Sequence, residues 1–428
     1  MRSLLALMLV ATLSSAARAA PDPLDAQGQR FVELATSLGH LYPREIDAYW
    51  GPPQLDMRHR GPTPSLPMLR QAMAQLRGEL ARNAQSQRRD RLADRLDHLL
   101  ALLDVIAKPH ALTFDQEARQ VYGVVMQPPD PAVQARALKR LDHLLPGHGD
   151  LASRLSAWRA RFAIPDNQRR TVFLRALTEC RARTLLHWPL PKDERVDVVW
   201  SADVPAAWQR YRGHDRSQLD INPAAVADPG TALDVACHEA YPGHHAQFLM
   251  MSANGLPIED TVVILRSPDQ VLREGAANAG IDLAFAPPAR LAFTRDVLFP
   301  MAGLDRRDAA AFVQVHRLVG ELALSVMPIL RDYYDGRLAS GDAMAHLMLD
   351  AQISSPEALL EFTHDLGAIV TGYTIARNIV ATCIVTRAGN GDRWSVLKNI
   401  VADRDTRILA STVCDERVDE RTRPVPRP

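Results

Sequence analysis

The reading of this chain turns on TALDVACHEAYPGHHAQFLMM, Thr231 to Met251, and within it on HEAYPGHH, His238 to His245. Three imidazoles and a carboxylate share a short, otherwise apolar segment, a concentration suited to holding a metal or moving protons. The apolar positions around them predict a helix, with Thr231 as its cap and Asp234 at the third helical position.

In the zinc-hydrolase pattern H-E-x-x-H, histidines four apart lie about 40° and about 6 Å apart on a helix, so both reach one metal while the Glu meets its water. Here the fourth residue after His238 is Pro242. On an ideal helix His244 would stand about 120° off the face of His238, and His245 would return to that face about 10.5 Å further along. Pro242 lacks the N–H that would bond the His238 carbonyl, and Gly243 permits an unusual turn. A bulged or kinked helix is therefore expected to swing one of the pair back. His244 is the expected ligand, with His245 either its alternative or a supporting or substrate-facing group.

A catalytic zinc takes three protein ligands and keeps a position for water. Glu274 is the third candidate, early in a helix launched by Ser267-Pro268-Asp269-Gln270: a cap, a proline at the first position and a Gln to close the capping box. Gly275, Ala276, Ala277 and Ala279 follow, and so many small residues let this helix pack closely against another.

Outward from the motif, apolar residues recur at three and four through Phe31 to Leu41, Leu66 to Leu80 and Leu92 to Leu103. Thr113 to Gln116 reads as another capping box, and Pro128, Pro129 and Pro131 as a loop. Further helices are expected over 151–162, 168–186, 306–334, 342–350, 356–388 and 394–401, the last but one stopped by Gly389 and Asn390. The aromatics of REIDAYWGPP read as staples at a helix end, with a pocket lining as the other use. The only convincing β is Arg195 to Trp200 and Gln218 to Asn222, two short strands whose edge could take an extended substrate. The expected fold is mainly α, with a short hairpin or small sheet beside the metal-site helix.

The first residues carry Arg2, the apolar run Leu4 to Leu13 and Ala17-Arg18-Ala19, the three parts of a secretory signal peptide over 1–19. No Cys lies near that cleavage point to take a lipid, and no later apolar run reaches membrane length. The expected product is an exported protein, periplasmic or secreted, not stably inserted in a membrane. Residues 20–414 read as one helical domain, and Asp415 to Pro428 as a charged, Pro-rich tail. Lys plus Arg and Asp plus Glu both number 50, so no nucleic-acid footprint is visible. Four cysteines, Cys180, Cys237, Cys383 and Cys414, allow bridges whose pairing spacing cannot assign, and Cys237 reads as a core residue rather than a ligand.

HEAYPGHH and REGAANAG, with DAYWGPP upstream, the RSQLDIN strand and the later GYTIAR, resemble the bacterial "domain of unknown function 885" family, itself similar to the helical gluzincin metallopeptidases. The resemblance implies one zinc held by two histidines and a glutamate: His238, His244 or His245, and Glu274, with Glu239 as general base. Tyr373 resembles a position that could stabilise an oxyanion, and Arg377, one helical turn on, a clamp for a substrate carboxylate. The expected function is hydrolysis of amide bonds, as a peptidase acting on peptide or another amide substrate. The alternatives are a non-peptide amidase or esterase, a non-catalytic binding protein stabilised by metal, and a proton relay without metal. His364, alone on its helix, is expected to be structural.

Overall fold

The computed structural model describes residues 23–126, 129–204, 206–252, 255–410 and Cys414; the expected signal peptide over 1–19 and the expected tail from Asp415 lie outside them. The fold is mainly α, 68% helical and 7% strand, with two small sheets among the described residues. Periodicity built the amino-terminal helices as expected. Pro23–Leu41 buries Phe31, Val32, Ala35 and Leu38, and Leu66–Leu80 buries Leu69, Met73, Leu76 and Leu80, one stripe each. The Thr113 capping box forms, with Thr113 Oγ1 accepting from the Gln116 N–H and the Gln116 amide oxygen accepting from the Thr113 N–H.

Three expectations about starts and stops are corrected. The prolines near 130 do not only make a loop: Asp130 caps a helix, Pro131–Leu144, because a proline at the first helical position loses no intrahelical bond. The expected helix over 356–388 is two, Pro356–Leu366 and Ile375–Ala388, joined by a 3₁₀ segment. The break falls at Gly367, with φ +60°, where a Cβ would lie 1.9 Å from the buried Glu117 carboxylate. Likewise 306–334 contains Ala309–Glu321 and Val326–Tyr334 with a 3₁₀ turn between. Both stretches are long and apolar enough to cross a membrane by length and composition, contrary to the expectation that no such run follows the leader. Here they are packed elements of the fold, contributing Phe312, Leu318, Leu330, Ala376 and Val380 to its interior.

The sheets also exceed the expectation. β1 (Ile46–Tyr49) pairs antiparallel with β5 (Val262–Ile264), so part of REIDAYWGPP is a strand, and Trp50 packs edge-on against Tyr211 and Phe248. β2 (Arg195–Trp200), β3 (Ala207–Gly213) and β4 (Arg216–Ile221) form the second sheet in the order β2-β4-β3. β2 is parallel to β4 and β3 antiparallel to it, so the expected RSQLDIN edge is the paired centre and β3 is an edge. The main core spans most of the molecule; a satellite cluster of Leu141, Trp158, Phe162, Phe299 and Phe312 joins Pro131–Leu144 and Leu151–Arg161 to Ala309–Glu321. Two disulfides close the structure, Cys180–Cys237 and Cys383–Cys414. Cys237 is thus in the core as expected, but bonded rather than alone.

Candidate metal centre

The motif helix runs Pro229–Glu239 and starts one turn earlier than expected. Asp228, not Thr231, is the cap; its carboxylate accepts from the N–H groups of Gly230 and Thr231, and Thr231 closes the box as the third residue. The helix ends on His238 and Glu239. It does not kink but stops, crosses a cis Tyr241–Pro242 bond, and gives way to a second helix, His244–Ser252. The Gly243 N–H donates to the Cys237 carbonyl at 3.0 Å and the Ala246 N–H to that of Ala240 at 3.0 Å. A Cβ on Gly243 would sit 1.7 Å from the His238 carbonyl oxygen, so only glycine fits this crossing.

Glu274 arrives on the helix Pro268–Ala284, capped by Ser267 as expected. Gln270 does not close that box. Its amide nitrogen donates to Glu274 Oε1 at 2.8 Å, and its oxygen accepts from Arg273. The small residues do bring backbones close: a Cβ on Gly275 would lie 2.6 Å from the Ala376 backbone, and one on Gly280 2.8 Å from Pro242. The glutamate helix is therefore wedged between Ile375–Ala388 and the turn between the two motif helices.

The result brings His238, His244 and Glu274 together, one ligand atom from each lying within 4.8 Å of the others. His238 Nε2 is 3.1 Å from Glu274 Oε2 and His244 Nε2 is 3.4 Å from Oε1, while the two rings stand edge-on with centroids 4.7 Å apart. His238 Nδ1 donates to Asn278 Oδ1 at 3.1 Å, which fixes the ring and leaves Nε2 for another partner. Glu274 is buried, and among the described residues its Oε2 has no hydrogen-bond donor. A buried carboxylate oxygen and two imidazole nitrogens aimed at one space fit a divalent cation, which would satisfy all three at once.

Burial pulls the His238 imidazolium down, yet the adjacent Glu274 carboxylate, with Glu239 and Asn278, pushes it up to about 9. Burial raises the Glu274 carboxyl, but His244 and His238 outweigh it and hold Glu274 well below its usual range. Glu239, also buried, goes the other way: burial raises its carboxyl against the pull of His238 and His244. A carboxyl raised above its ordinary range is suited to proton transfer near neutrality.

Tyr373 is 41% exposed and belongs to this field: the negative charge of Glu274, then burial, Glu239 and Asp47 hold its phenol well above the ordinary value, so it stays a donor. Arg377 has a partner of its own. It pairs with Asp282 at 2.6 Å, two helical turns beyond Glu274, and both are about half exposed. His245 points away from Glu274, fully buried, with Nε2 donating to Glu194 at 2.9 Å and Nδ1 2.7 Å from Ser217 Oγ. His364 is exposed and packs near His110.

Four neighbours were not named as site residues from the sequence: Asn278, Gln270, Glu194 and Asp47. Asp47, on β1, accepts from Trp208 Nε1 at 3.0 Å and lies 3.9 Å from Arg273; burial raises its carboxyl, with Arg273 and His244 opposing. The spacing of Gln270 and Asn278 from Glu274, one turn before and one after, could have singled them out. A separate cleft of about 1080 Å³, bordered by Arg95, Asp260, Asp269, Arg387 and Arg404, includes none of the three converging residues.

No protein-family model and no curated protein matches the chain. Among solved structures it is similar to a "putative lipoprotein" from Colwellia psychrerythraea, with a TM-score of 0.54 and 14% identity over 80% of this chain and 65% of that one. A "putative lipoprotein of unknown function" from Shewanella oneidensis aligns with a TM-score of 0.45 and 12% identity, over 82% of this chain and 73% of that one. The chain thus spans 65% of the length of the first of these neighbours, and at 14% identity that likeness speaks to the fold alone.

Proposed function

We propose that this chain is an exported zinc-dependent hydrolase of amide bonds acting as a peptidase, in keeping with the family that HEAYPGHH and REGAANAG resemble. The observation that carries the reading is the convergence of His238, His244 and Glu274 on one point, with the buried Glu239 beside them. Two histidines and one glutamate are a catalytic rather than a structural ligand set, since a structural zinc closes all four positions with protein groups. Zinc held there would supply a Lewis acid and lower the pKa of a bound water towards 7. Glu239 takes the proton of the attacking water and passes it to the leaving nitrogen. Tyr373, kept protonated by the carboxylates around it, donates to the oxygen on which charge develops.

Export is supported by the three-part leader pattern at Arg2, Leu4 to Leu13 and Ala17 to Ala19. The finer placement proposed is periplasmic or secreted. Elemental analysis of the purified protein should give one zinc per chain. Glu239→Gln should keep that zinc and lower hydrolysis of a peptide library by about 10²–10⁴-fold. A protein without stoichiometric zinc, or a fully active Glu239→Gln, breaks the reading.

A further inference from the structure

We propose that Glu194 is a positioning residue for the metal centre: it anchors the segment Tyr241 to His245 at both ends and thereby sets where His244 points. The inference rests on the zinc reading above. Glu194 lies in the connection just before β2, 51 positions from His245 in sequence, and its side chain is fully buried. Its Oε1 accepts from Arg181 Nε at 2.6 Å; its Oε2 accepts from the Tyr241 hydroxyl at 2.5 Å and from His245 Nε2 at 2.9 Å.

Those last two donors bracket Pro242, Gly243 and His244, the crossing from one motif helix to the next. His245 is held from its other side as well. Its Nδ1 meets Ser217 Oγ on β4 at 2.7 Å, and that hydroxyl accepts from Gln209 Nε2 on β3 at 2.6 Å. The crossing is thus tied through one carboxylate and one imidazole to the three-stranded sheet. Of the consecutive imidazoles, His245 makes the attachment and His244 is left facing Glu274 at 3.4 Å. Replacing the Glu194 carboxylate by an amide leaves one acceptor oxygen where three buried or half-buried donors now use two, and the segment that carries His244 loses its fixed direction.

The test uses the full chain and the metal ion alone: zinc affinity by competition with a chromogenic chelator, and the visible absorption of the cobalt-loaded protein as a reporter of ligand geometry. Glu194→Gln should weaken zinc binding about 10–100-fold and alter the cobalt band. Tyr241→Phe should weaken it less, and the double variant should be no worse than Glu194→Gln, since the two act as one unit. Folded variants with wild-type affinity and spectrum, or losses that simply add, overturn the inference. If Glu194→Gln does not fold, Tyr241→Phe decides alone, unchanged affinity and spectrum again overturning it. A wild-type chain that binds no zinc overturns the zinc reading and this inference together; zinc bound normally by wild type and variants overturns this inference only.

Discussion

Two buried glutamates receive adjacent histidines, and they are satisfied in opposite ways. Glu194 meets His245, Tyr241 and a permanent cation, Arg181, so both of its oxygens have donors. Glu274 meets His244, His238 and Gln270, and among the described residues one of its oxygens has no donor. The first is a closed knot that water and ions have no reason to enter; the second is a charge arrangement that a divalent cation would complete. One peptide step, from His244 to His245, separates a group offered to a ligand from a group used to hold it there.

The contrast is sharpest if each carboxylate is neutralised in turn. Glu274→Gln should abolish stoichiometric zinc while leaving a cooperative thermal transition, because the open site adds little to the fold without its metal; zinc retained at full occupancy would remove the distinction. A smaller effect is expected one helical turn on. Asn278→Ala takes away the acceptor that fixes the His238 ring and should weaken zinc about 10–100-fold by the same chelator competition.

The closed site should show itself in acid. Burial raises the Glu194 carboxyl, but hydrogen bonds from His245, Tyr241 and Arg181 outweigh it and hold it at about 2. A group depressed below its unfolded value of about 4.3 stabilises the fold above that pH and loses the contribution as pH falls through about 2. The stability advantage of wild type over Glu194→Gln, from urea unfolding, should therefore be full at pH 6 and shrink between about pH 4 and 2. An advantage independent of pH would mean that Glu194 is not held as an anion. Least affected should be Arg377→Ala, where an exposed pair with Asp282 is lost. A change of about 0–1 kcal/mol in stability and an unchanged KM are expected, whereas a large rise in KM would return Arg377 to the substrate.

The helices were legible because a buried stripe needs apolar residues at three and four, as in Leu69, Met73, Leu76 and Leu80. Strands of three to seven residues were harder: β1 and β5 lie more than two hundred positions apart and are defined only by each other. At the site, the convergence of His238 and Glu274 could be anticipated from residue types, since few uses exist for such a cluster in apolar sequence. The choice of His244 over His245 could not, because it depends on how the crossing at Pro242 and Gly243 is tied down, and the tie is a glutamate from before β2. Asp47 was hidden for the same reason, its neighbours being drawn from β3 and from both the motif and glutamate helices.

The Cys180–Cys237 bridge bears on how the protein should be made. Cys237 directly precedes His238, and the bond fixes it to the helix Asp166–Leu185. A chain produced in a reducing cytosol would carry a free thiol beside a proposed ligand, and thiolate is itself a strong zinc ligand. Such material would take up zinc through a donor set that the oxidised protein does not possess. Preparations from an oxidising compartment, with thiol titration to show that Cys237 is bonded, are the ones whose metal content reports on this centre.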